Sequence, residues 1–101
     1  MSGNEVDASQ YVWVIIERTR NDENFLGMAD DDGESFIPVT AEKDQALMLV
    51  GRLPDTEGVY SRSVEAIHKA QLLGQAQDEG FSVYLVDEKG RLLEPLTGQT
   101  H

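Results

Sequence analysis

"SRSVEAIHKAQLLGQAQDEG", residues 61–80, decides how this chain is assembled, because it separates the strand-like segments before it from those after it. At a period of 3.6 residues it reads as an amphipathic helix over 62–79, with Ala66, Ile67, Ala70, Leu73 and Gly74 on one stripe. Ser61 or Ser63 stands where a cap is needed, and Gly80 is a natural stop. The small residues of the stripe favour close approach to a sheet.

Immediately before it, "PDTEGVYS" has loop chemistry, and before that "AEKDQALMLVGRL", residues 41–53, repeats the helical pattern through Ala46, Leu49, Val50 and Leu53. Thr40 is the expected cap of this first helix and Pro54 its stop. Further upstream, "YVWVIIER", residues 11–18, is rich in β-branched and aromatic types and is followed by the turn-forming "TRNDEN". Such a strand is apolar on both faces, Val12, Val14 and Ile16 on one and Tyr11, Trp13 and Ile15 on the other. Two apolar faces need two covers.

Between this strand and the first helix, "NFLGMAD" and "SFIPVT" flank "DDDGE". A two-residue turn at Asp32 and Gly33 predicts Met28 opposite Ile37, Leu26 opposite Val39, and Asp31 facing Glu34. Pro38 cannot donate to a ladder, which predicts a short or edge position for the second arm. After Gly80, "FSVYLVDEKGRLLEPL" reads as a second hairpin around Lys89 and Gly90, with Glu88 facing Arg91. "DDDGESFIPV" and "DEKGRLLEPL" echo each other in acidic approach, glycine and proline, which common turn chemistry explains as well as duplication does.

The expected order is therefore βββααββ. It predicts an α+β two-layer sandwich with a mainly antiparallel sheet and both helices on one face. Residues 10–97 are read as one globular domain, between a flexible N-terminal tail at 1–9 and a C-terminal tail at 98–101. With the helices on one face, the face bearing Tyr11, Trp13, Ile15 and Tyr84 is either an exposed aromatic surface, an expected site of interaction, or the core itself, with the helices packed there and loops over Val12, Val14 and Ile16.

Composition narrows the function. Eight Lys plus Arg against nineteen Asp plus Glu give a net charge of −11, which opposes direct binding of nucleic acid. The absence of cysteine removes disulfides, thiolate zinc sites and a Cys nucleophile. The start, "MSGNEVDASQ", lacks the pattern of a signal peptide, and no apolar run approaches the ~20 residues of a membrane span. Cytoplasm is the expected location, and no membrane partner is expected.

The acidic stretch Asp30, Asp31, Asp32 and Glu34 invites comparison with a calcium loop. Aligned on Gly33, Asp30 and Asp32 fit, but Met28 stands where the first aspartate belongs and Val39 where the bidentate glutamate belongs. No metal and no cofactor are expected. Glu65 and His68, three apart on the predicted helix, would be neighbours, yet no metal-ligand spacing or nucleophile elbow accompanies them or Ser61 and Ser63. No catalytic residues are assigned.

At "FIPVTAEKDQAL", residues 36–47, an extended segment with proline leads through Thr40 into a helix. This resembles the SseB-like (enhanced serine sensitivity) proteins, and "DDDG" falls at the position of that family's polar turn. The resemblance implies a small α/β module without a catalytic residue set. The functional expectation is a non-enzymatic acidic interaction or regulatory module whose partner is another protein or a second copy. Self-association through the aromatic face would make it a homodimer. A small-ligand or cation-binding domain using residues 30–34, and an acidic mimic of nucleic acid that binds a basic protein, are the alternatives.

Overall fold

The computed structural model describes residues 10–96; the expected tails at 1–9 and 98–101 lie outside the described residues. The chain folds as β1 (Tyr11–Thr19), β2 (Glu23–Phe25), β3 (Met28–Ala29), β4 (Ser35–Thr40), α1 (Lys43–Arg52), β5 (Val59–His68), α2 (Lys69–Glu79), β6 (Ser82–Val86) and β7 (Leu92–Leu96). Among the described residues it is an α+β structure with one mixed sheet of seven strands and two helices.

The stretch at 61–80 divides at His68. Its first half is the C-terminal part of β5, which pairs antiparallel with β1 from Tyr11↔His68 to Thr19↔Val59. The predicted helix over 62–79 is thus corrected to a strand followed by a helix, and the order βββααββ to four strands, helix, strand, helix, two strands. The apolar β1 needs a partner along both edges, and that ladder outweighs a helical stripe carried largely by Ala66 and Ile67. Ser61 and Ser63 lie in the strand. His68 is the N-cap of α2, its Nδ1 accepting from the Ala70 amide at 3.2 Å. In α2 the residues buried against the sheet are Leu72 and Ala76, while Ala70 and Gly74 are exposed.

The strand order is β5-β1-β4-β6-β7, with β4 and β6 parallel and the other pairings antiparallel. Residues 23–29 form a wedge where β1 and β4 part: β2 pairs with β1 through Ile16↔Phe25, and β3 with β4 through Met28↔Phe36. Pro38 lies between the part of β4 that pairs with β3 and the part that pairs with β1. The expected edge position is therefore corrected to an interior strand.

Both helices are crossovers between strands of the same direction. α1 carries the chain from β4 past β1 to β5, and α2 carries it back from β5 past β1 and β4 to β6. Crossovers of a single hand that run in opposite lateral directions place their helices on opposite faces. The cores agree: Val12, Val14, Ile37, Val39 and Val83 pack with Leu72 and Ala76 of α2, whereas Ile15, Leu26, Phe36 and Val86 pack with Leu49 of α1. Adjacent Val14 and Ile15 thus serve different cores. The expectation of two helices on one face is corrected, because the strand hidden in 61–68 reverses the direction of travel.

Local chemistry sets the ends of α1. Thr40 is not its cap but a buried β4 residue, 1% exposed, whose Oγ1 donates to the Glu42 carbonyl at 2.8 Å. Glu42 is the N-cap, in a capping box with Gln45. No helix among the described residues is long and apolar enough to cross a membrane.

Candidate functional site

Tyr11, Trp13, Ile15 and Tyr84 share one sheet face, and α1 lies over it. Ile15 is buried at 2% exposure in the core that contains Leu49. Trp13 is half-buried, with Lys43 Nζ of α1 5.8 Å from its ring centroid. Tyr11 meets His68 edge-on at 5.2 Å, and Tyr84 meets Phe36 edge-on at 5.4 Å. These contacts tie the aromatics into the fold, and Tyr11, Trp13 and Tyr84 stay half-buried.

The acidic hairpin is built around one residue. Asp30 Oδ1 accepts from the amides of Asp32 at 2.8 Å and Glu34 at 2.9 Å, while the Gly33 amide donates to the Asp30 carbonyl at 2.9 Å. Gly33, at φ 83°, takes the left-handed conformation that closes this turn. The observed register, Met28↔Phe36 and Ala29↔Ser35, corrects the predicted pairing of Met28 with Ile37, and Asp30 rather than Asp31 stands against Glu34. The loop holds one more residue than the two-residue turn allowed.

The second hairpin repeats this turn. Asp87 Oδ1 accepts from the amides of Lys89 and Arg91, the Gly90 amide donates to the Asp87 carbonyl, and Gly90 has φ 83°. Asp87, not Glu88, pairs with Arg91, at 2.9 Å from Nε to Oδ2. The backbone amide of Arg91, followed by that of Lys89 and the Arg91 guanidinium, holds the Asp87 carboxyl below its ordinary value of 3.8 against a smaller opposing effect of desolvation. The echo in sequence is therefore an echo in turn geometry. No group of three or more His, Cys, Asp or Glu suited to a metal ion occurs among the described residues.

Strand geometry separates the other candidate pair. Glu65 lies opposite Val14 and His68 opposite Tyr11, on different faces of β5, so the proximity expected on a helix is lost. The His68 imidazole serves as the cap of α2.

One concave feature joins segments that sequence reasoning left apart. Beside the C-terminal end of α2 lies a groove of about 500 Å³ whose floor is Ile16, Phe25 and Ile37 and whose rim carries Glu23, Glu65 and Glu79. The pairings Ile16↔Phe25 and Val14↔Glu65 bring β1, β2 and β5 to it, and the wedge opens the sheet beneath. Among the described residues, no Lys or Arg lines the groove. Arg18 reaches Glu23 from the side, its Nε donating to Oε2 at 2.9 Å.

Helix α2 reinforces that charge. Its last turn contains Asp78 and Glu79 and no basic residue, where the carbonyl end of the helix already carries partial negative charge. Gly80, at φ 80°, and Phe81 close the helix by donating to Gln77 and Ala76 carbonyls at 3.2 and 2.8 Å. The cap leaves the acidic side chains turned to solvent. The signal available in sequence was this acidic last turn; the apolar floor was not legible, because Ile16, Phe25 and Ile37 meet only through the ladder.

Comparison of the chain with protein-family models, with curated proteins and with solved structures finds no match.

Proposed function

We propose that this protein is a non-enzymatic acidic interaction module that captures a basic, partly apolar segment of another protein in the groove beside α2. The observation that carries this reading is the convergence of Glu65 and Glu79, beside a Glu23 paired with Arg18, around an apolar floor at the negative end of a helix. An apolar side chain on the floor and a cationic group at the rim would each gain, the second from carboxylates and helix dipole together. The net charge of −11 would speed the encounter with such a partner.

The groove supports this better than the aromatic face does, since α1 overlies Ile15 and Lys43 sits over Trp13. It also supports it better than cation capture at residues 30–34, where an Asp30 oxygen is already engaged by two amides. A cytoplasmic module of this kind fits the resemblance to SseB-like proteins at residues 36–47, which carries no catalytic set.

The test uses a fluorescent peptide of alternating arginine and leucine and its glutamate-leucine counterpart, with anisotropy as readout. Binding of the arginine peptide alone, weakened by salt and by Glu23→Gln/Glu79→Lys, is the expected result. Equal binding of both peptides, or of the arginine peptide by wild type and variant, would overturn the reading.

A further inference from the structure

The two edges of the sheet are treated differently. β7 is a five-residue edge carrying Pro95, and the shift between Leu85 and Val86 leaves Leu93 without a partner. Both devices blunt an edge against further pairing. β5, at the other edge, spans ten residues, contains no proline, and among the described residues pairs only with β1. A single irregularity at Tyr60, between the pairs Arg18↔Ser61 and Thr19↔Val59, leaves 61–68 regular. Arg62, which could guard this edge, is neutralised by Glu17 at 2.9 Å.

We infer that β5 is a self-association edge, where a second copy of this chain adds its own β5 antiparallel to form one continuous sheet. A two-fold axis perpendicular to the sheet keeps α1 faces with α1 faces, so only residues of equal parity can oppose one another. With Val64 on the axis, Ser63 faces Glu65, Arg62 faces Ala66 and Ser61 faces Ile67 of the second copy. No like charges meet, and the pairing uses only the regular part of the strand. One step towards the C-terminus sets Glu65 against Glu65; one step towards the N-terminus shortens the ladder to 61–65 before Tyr60 interrupts it. The strand's own residues therefore select one register.

Two copies of net charge −11 repel, so this association tightens as salt screens them, opposite to the salt response of a basic peptide in the groove. The two readings thus fail separately. Sedimentation equilibrium at about 0.1 M and about 1 M salt follows mass against concentration. The expected result is growth towards twice the 11.2 kDa chain mass, greater at high salt. Ser63, exposed in the single chain, is the point of control. Ser63→Glu opposes Glu65 of the second copy twice per dimer and weakens dimerisation about tenfold, while Ser63→Lys strengthens it. A mass that stays monomeric at both salt concentrations, or Ser63→Glu and Ser63→Lys variants that behave alike, would overturn the proposal. With no native cysteine, Val64→Cys should oxidise to a linked dimer faster than Leu93→Cys on the β7 edge; equal rates would also sink it.

Discussion

Glu17 and Arg62 face each other across the β1–β5 ladder, Arg62 Nε donating to Glu17 Oε2 at 2.9 Å with the side chains only 19% and 11% exposed. Arg62 Nη2 also donates to Thr56 Oγ1, which ties the loop after α1 to the same strand. It is the most sheltered of the ion pairs among the described residues. Replacing Arg62 by Met leaves the Glu17 carboxylate sheltered without its donor, and stability falls by about 1–3 kcal/mol. Adding Glu17→Gln recovers most of that loss, since the uncompensated charge is its main source. Urea unfolding of wild type, single and double variants measures both; a double variant as unstable as Arg62→Met would refute the coupling.

The two matched turns predict unequal glycine substitutions. Gly33 and Gly90 share φ 83°, so alanine at either costs about 1–2 kcal/mol of backbone strain. At Gly33 a Cβ meets open space, whereas at Gly90 it lies 3.3 Å from Leu49 Cδ1 and 3.6 Å from Met28 Cε. Gly90→Ala therefore lowers the thermal midpoint more than Gly33→Ala, and the reverse ranking would contradict the packing of that tip on α1.

Acid tests the second hairpin. The folded pKa of Asp87 is lowered below 3.8 by its backbone and Arg91 partners, so its contribution is complete above the unfolded value and is lost as pH falls through the folded one. Asp87→Asn should be less stable than wild type at neutral pH, with the gap narrowing as the solution is acidified below that value. A gap independent of pH would show that the carboxylate charge contributes nothing there.

Opposite-face packing of the helices predicts additivity. Leu49 of α1 and Leu72 of α2 are 2% and 0% exposed in separate cores, and each substitution by alanine costs about 2–5 kcal/mol. The sheet stands between them, so the double variant loses the sum to within about 0.5 kcal/mol. A larger departure would mean that the helices share a core.

Much of the local structure was present in the amino-acid order. The β1 strand, the first helix through Ala46 and Leu49, both turn glycines and the acidic, cysteine-free character follow from propensity, periodicity and charge, which depend on near neighbours only. The two apolar faces of residues 11–16 also announced two covers. Residues 61–68 could not be read that way: Ala66 and Ile67 join a helical stripe as readily as they line a strand, and only β1, some fifty residues earlier, selects the strand. That one tertiary decision sent α1 and α2 to opposite faces, put Glu65 and His68 on different sides, and laid α1 over Ile15 on the aromatic face. It also assembled the acidic groove from β1, β2, β5 and α2. Sequence set which segments can be strands or helices; long-range pairing, whose energy is gained only when distant segments meet, decided which of them are neighbours.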